Sequence, residues 1–231
     1  MKKIGIIGGL GPESTLDYYK GIIDAFKPDY EQTEGYPDIC IESVNLKTFV
    51  GYASNDEWDK VINIIVEKLD QLKNIGCDFG VIASNTPHKV FNEIAAKTSL
   101  PLISIVETTC EYAHILKLKK LCLMGTRFTM SSDFYQKVFE KKDIELIVPD
   151  KDEQDYIQEK LFSEIEFGII KDKTRKGLIE IYNRILQDDR VEGLILGCTE
   201  LPLILKPEHI NGAYIDPVAL HIEKIVEYCK D

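Results

Sequence analysis

The sequence predicts an α/β protein of two similar halves, each a mostly parallel sheet flanked by helices. Three observations carry this. Short apolar runs alternate with longer amphipathic stretches along the whole chain, the pattern of parallel strands joined by crossover helices. Most of the short runs are apolar throughout, as strands covered on both faces should be. Turns rich in glycine and small polar residues recur at nearly equal intervals in the two halves.

Strands are expected at 4–7, 39–44, 79–83, 102–105, 121–124, 145–148, 193–196 and 213–215. Helices are expected at 14–25, 57–75, 89–97, 107–116, 132–140, 153–167, 173–187 and 219–229. The amino-terminal domain should comprise 1–105 plus 213–231, and the carboxyl-terminal domain 106–212. Ligands of open parallel sheets bind beyond the carboxyl ends of the strands. The four strand-end turns should therefore open on one interdomain cleft.

With 231 residues, 44% of them hydrophobic, the chain can bury a substantial core. Its formal charge of −11 makes nucleic acid and anionic lipid poor partners. No apolar stretch reaches the length of a membrane span, and the short run before Gly8 and Gly9 is no secretory signal. The expectation is a cytoplasmic protein. Cysteines 40, 77, 110, 122, 198 and 229 contain no C-x-x-C pair, so free thiols are expected rather than a disulfide framework. Cys40, Cys77, Cys110, Cys122 and Cys229 sit inside strand or helix patterns and read as structural. The four histidines lack metal-ligand spacing, so no metal is expected.

Chemistry concentrates in the turns. Gly8-Gly9-Leu10-Gly11-Pro12 follows the first strand. Its glycines let the amides of Gly9, Leu10 and Gly11 approach an anion, and Pro12 suits a helix start. The alternative is a tight strand–helix turn, and the dinucleotide fingerprint lacks its third glycine. Ser84-Asn85-Thr86-Pro87-His88 occupies the matching turn of the first half. Its amide and hydroxyls suit a carboxylate, and equally a helix cap. Gly125-Thr126-Arg127-Phe128-Thr129 opens the second half. Thr126, Arg127 and Thr129 could hold a carboxylate, or Arg127 could form a surface ion pair. Gly197-Cys198-Thr199-Glu200 places a thiol just past a buried strand, where a helix start can lower its pKa. Asp216 and His221 follow the last strand, where they could reach a cleft floor.

Taken together, these turns make the chain resemble the aspartate/glutamate racemase family over essentially its whole length. The stretches Asp56-Glu57-Trp58-Asp59-Lys60 and Ser132-Asp133-Phe134-Tyr135 resemble an enterobacterial branch with broad or L-specific activity. The resemblance implies two pseudo-symmetric domains, no cofactor, a homodimer and a small amino-acid substrate. It implies that Cys198 is the base facing the L-enantiomer, opposed across the substrate Cα by the residue at position 84. Gly9, Leu10, Gly11, Asn85, Thr86, Thr126, Arg127, Thr129, Thr199 and Glu200 would line the substrate.

The chain departs from the family pattern twice. The family motif Cys-Asn-Thr reads Ser84-Asn85-Thr86 here. A serine fits a natural variant, since the enterobacterial branch carries threonine there, and equally a replaced cysteine. Glu166 lies near where some relatives carry a lysine that contacts the substrate's side-chain carboxylate, so it argues against an acidic side chain. The leading expectation is racemisation of L-aspartate or L-glutamate. The alternatives are a racemase for a neutral amino acid such as homoserine and a catalytically silent amino-acid-binding homologue. A serine hydrolase is disfavoured because no G-x-S-x-G surrounds Ser84.

Overall fold

A computed structural model describes residues 1–29 and 35–231. The chain divides into two compact units, Met1–Thr108 with Val218–Asp231, and Thr109–Pro217. Each is built on a four-stranded, all-parallel sheet.

In the first unit the strands are β1 (Ile4–Gly8), β2 (Ile39–Ser43), β3 (Phe79–Ile82) and β4 (Leu102–Ile103), in the spatial order β2-β1-β3-β4. The helices are α1 (Pro12–Phe26), α2 (Leu46–Ser54), α3 (Trp58–Asn74), α4 (Phe91–Lys97), the start of α5 (Ile105–Ile115), and nearly all of the final helix (Pro217–Lys230). The apolar runs are divided between two faces by the strand period of two. Ile4 and Ile6 of β1 join Phe79 and Val81 of β3 in one cluster with Tyr18, Ile22 and Phe26 of α1. Ile7 and Ile82 turn to the other cluster, with Ile65, Leu69 and Leu72 of α3. Burial on both faces is why these strands read as unbroken apolar runs.

The second unit repeats the plan. Its strands are β5 (Lys120–Gly125), β6 (Glu145–Ile147), β7 (Gly193–Gly197) and β8 (Ala213–Ile215), in the order β6-β5-β7-β8. Its helices are the rest of α5, α6 (Arg127–Ser131), α7 (Phe134–Glu140), α8 (Lys151–Ser163), α9 (Asp172–Asp189) and α10 (Leu201–Ile204), which makes the final helix α11. Cys122, Met124, Leu194 and Leu196 pack under Ile157 and Leu161 of α8 and Leu178, Tyr182 and Ile185 of α9.

The structure departs from the sequence expectations at identifiable places. β8 pairs in parallel with β7, Ala213 opposite Gly193, so 213–217 belong to the second unit and not to the first. The strand expected at 102–105 stops at Ile103, because the Ser104 hydroxyl accepts from the Glu107 N–H at 3.3 Å and starts α5. Helix α2 went unread; Asn45 caps it through the Thr48 N–H at 3.1 Å. The helix expected over 153–167 breaks at Glu164, whose φ of −131° ends α8. Its buried carboxylate accepts from Thr174 Oγ1 at 2.5 Å and from Lys160 and Lys171 at 3.3 and 3.2 Å. These donors hold the Glu164 carboxyl down at about 2. Among the described residues, no helix is long and apolar enough to cross a membrane.

Two histidines are built into the first core. His221 Nε2 donates to the Ile103 carbonyl at 3.0 Å, which leaves Nδ1 to accept from the Tyr18 hydroxyl at 2.7 Å. His221 is thus a fully buried strut between helices and sheet, and not an open catalytic group. His88 Nδ1 donates to the Ser84 carbonyl at 2.9 Å, and the ring stacks on Phe91. Burial lowers both, His88 to about 4 and His221 to about 3. An unfolded chain binds these protons near pH 6.5 and the folded chain does not, so folding stability is fully present above pH 6.5 and declines below it. Urea midpoints measured from pH 7.5 to 5 should fall with a slope approaching two protons, and His221→Gln should flatten that slope.

Candidate active site

In each sheet the chain leaves the first strand in one direction and returns to the third on its other side. The β1/β3 and β5/β7 junctions are therefore topological switch points, where parallel sheets open a crevice at the strand ends. The candidate residues lie at these two junctions, each described here within its own unit.

At the β1/β3 junction, Ile7 pairs with Ile82, so the two turns emerge level. Gly9 has φ +78°, and a Cβ there would stand 2.3 Å from the Val44 carbonyl oxygen, so only glycine closes this turn. The Gly9 N–H, expected to face an anion, is already given to Thr15 Oγ1 at 3.0 Å. Ser14 Oγ donates to the Ala83 carbonyl at 3.1 Å, joining the two turns. Ser84 is 9% exposed, and its hydroxyl reaches the Leu10 carbonyl only at 3.4 Å, a weak bond. Asn85 is buried and Thr86 half-buried beside it. Because His88 Nδ1 carries the proton given to the Ser84 carbonyl, the lone pair is on Nε2. That atom is buried without a hydrogen-bond partner among the described residues.

At the β5/β7 junction Gly125 faces Gly197. A Cβ on Gly125 would sit 2.8 Å from the Gly197 carbonyl oxygen, so glycine lets the two strand ends lie flush. Thr126 caps α6, its Oγ1 accepting from the Thr129 N–H at 3.3 Å and lying 3.1 Å from the Thr129 hydroxyl. Arg127 turns outward. It is 55% exposed, its guanidinium pairs with Asp155 at 2.7 Å, and its N–H donates to Gln158. The surface ion pair wins over the carboxylate clamp at this residue.

Cys198 is 6% exposed at the end of β7. Its thiol donates to Glu200 Oε2 at 2.9 Å, and the Thr199 hydroxyl donates to the same oxygen at 2.7 Å. The expectation of a lowered thiol pKa is overturned. Burial pushes the Cys198 thiol well above its ordinary value, the Glu200 carboxylate adds to this, and Glu166 contributes further. The following helix, α10, has only four residues, too few for its dipole to oppose a buried carboxylate. Glu166, on the single 3-10 turn Ile165–Phe167, is itself raised by burial and by Glu200. Glu200 as the thiol's partner was visible only as a nearby residue; its side-chain direction depends on the turn. A groove of about 870 Å³ between α8 and α9 lies away from these turns, with Lys173, Lys176 and Glu180 on its rim and Arg184 paired to Glu153.

Residues 7–225 match the family described as Asp/Glu/hydantoin racemase. The chain belongs to the Asp/Glu/hydantoin racemase family. It is therefore an isomerase of the racemase type. A broad-specificity amino-acid racemase of Bacillus subtilis (strain 168) is 30% identical over 213 residues, covering 90% of this chain and 89% of the relative. The crystal structure of an aspartate racemase homologue from Pyrococcus horikoshii OT3 superposes with a TM-score of 0.89 at 34% identity, over 100% of both chains. Glutamate racemase from Aquifex pyrophilus shares the fold, with a TM-score of 0.66 at 21% identity over 98% of this chain and 83% of that one.

In this racemase-family chain the charge of Glu200 should govern the thiol. Glu200→Gln removes the anion that opposes thiolate formation. At fixed pH, Cys198 in that variant should react with iodoacetamide about tenfold faster than in the parent, one pKa unit being a factor of ten. Unchanged alkylation would show that burial alone sets the thiol's reactivity.

Proposed function

We propose that the protein racemises a free amino acid without a cofactor, with Cys198 as the base for the L-enantiomer and position 84 serving the opposite face of Cα. One observation carries this: a buried thiol at a β-strand end with its proton already directed at a carboxylate, Cys198 to Glu200. Removal of an α-proton needs a base, and a protonated thiol becomes one when Glu200 accepts its proton. The substrate's ammonium group favours that transfer by bringing positive charge to the pair. The thiolate then takes the α-proton. The carbanion is reprotonated from the other side by the Ser84 hydroxyl or by a water held there. Two-base chemistry requires the two groups to flank one Cα. Asn85, Thr86 and the amides of Leu10 and Gly11 are proposed to receive the α-carboxylate. The same reading makes the enzyme a cytoplasmic homodimer.

For the side chain, aspartate or glutamate follows from the family. The placement of Glu166 favours an uncharged one such as homoserine. Glu166 and Glu200 bring two carboxylates toward Cys198, while Arg127 is committed to Asp155 and Lys160 and Lys171 to Glu164. A third carboxylate would enter a field that already opposes it.

Incubation with L- and D-amino acids in D₂O, following loss of the α-proton, tests the reaction. The L-enantiomer should exchange faster, since a serine hydroxyl is a far weaker acid than a thiol. Cys198→Ala should lose exchange of the L-form, about 10²–10⁴-fold for a removed base, and Ser84→Cys should raise exchange of the D-form by a comparable factor. Equal rates for both enantiomers in the parent, or an active Cys198→Ala, would defeat the assignment, and no exchange with any amino acid would leave a binding protein. On the same panel, Glu166→Lys should shift preference from homoserine toward aspartate and glutamate.

A further inference from the structure

Five cysteines fall outside the proposed chemistry, and two of them are neighbours. Cys40 is the second residue of β2 and lies opposite Gly5 of β1. Cys77 closes the turn after α3, its N–H donating to the Leu72 carbonyl at 3.0 Å, two residues before β3 begins. β1 runs between β2 and β3, and at the level of Cys40 it presents Gly5, which has no side chain to stand in the way. On the face of the sheet that α3 covers, Cys77 belongs to the core cluster and Cys40 packs against it. The two thiols are within hydrogen-bonding reach of each other. The remaining cysteines have other surroundings. Cys110 donates to the Val138 carbonyl, Cys229 to the Lys2 carbonyl and Cys198 to Glu200, and Cys122 is sealed in the second core.

We propose that Cys40 and Cys77 form a modification site, a dithiol that a low-molecular-weight disulfide such as oxidised glutathione converts reversibly to a Cys40–Cys77 bridge. Cys40 is half-buried and Cys77 is 6% exposed, so Cys40 is the thiol that meets the reagent. Its thiolate attacks one glutathione sulfur, forming a mixed disulfide and releasing one glutathione thiolate. Cys77 then loses its proton to solvent and attacks the Cys40 sulfur, which forms the protein disulfide and releases the second glutathione. Two protein thiols are oxidised and one glutathione disulfide is reduced to two thiols. Burial and the neighbouring sulfur push Cys77 up to about 12, so the second step is the slow one.

The bridge would tie β2 to the α3–β3 turn near the amino-terminal ends of the strands, whereas Ser84 lies beyond the carboxyl end of β3. Its consequence is for the stability of the first unit, through closure of the chain between 40 and 77. The test is to incubate the folded full-length chain with oxidised glutathione, count free thiols, and map cross-linked peptides by mass spectrometry. Loss of two of the six thiols is expected, with a Cys40–Cys77 peptide and a thermal midpoint raised by several degrees, all reversed by dithiothreitol. Cys40→Ser should remain folded and show none of these changes. A stable glutathione adduct on Cys40 without a bridge would overturn the proposal, as would a bridge to another cysteine or an unchanged thiol count.

Discussion

Both halves of this protein rest on one arrangement: two parallel strands side by side with their carboxyl ends level. Ile7 beside Ile82 and Gly125 beside Gly197 are the register pairs that set it. Backbone hydrogen bonding along each pair forces the following turns to leave at the same height. The helices that cover the two faces exclude water from the strands but leave the turns at their ends. Each candidate residue therefore owes its position to strands that are apolar throughout and take no part in the chemistry.

The second unit shows how burial and charge combine at such a turn. A thiol in an apolar setting is reluctant to ionise, and a carboxylate beside it deepens the reluctance. Cys198 has both. The same carboxylate is also the acceptor of its proton. Glu200 thus opposes the thiolate when no positive charge is near and offers a path to it when one arrives. This gives the resting residue little reactivity, which suits a nucleophilic sulfur that has to persist in the cell.

The first unit has no equivalent of that pair. Ser84 has a weak contact to the Leu10 carbonyl, and the nearest imidazole, His88, holds the Ser84 backbone and not its hydroxyl. The neutral His88 ring, kept so by burial, supports the turn as a brace. The two halves share a strand order but not a proton-transfer apparatus.

The α/β class, eight strands and the turns that end them could be read from residue pattern, because strands covered on both faces need unbroken apolar runs and parallel crossovers need glycine and small polar residues at their ends. Family membership was legible from the same turns, since their backbone and polar requirements dictate residue type. What the sequence left open was decided by contacts between distant segments. The break at Glu164 depends on Thr174 and Lys171, which come together only when α9 packs on α8. The outward turn of Arg127 depends on Asp155, one helix further on. β8 belongs to the second sheet because it pairs with β7, and an apolar run carries no record of its partner. The sign of the Cys198 shift depends on how deeply the thiol is buried and where the Glu200 side chain points. Local pattern determines which residues stand at strand ends; only packing determines which charges they meet there.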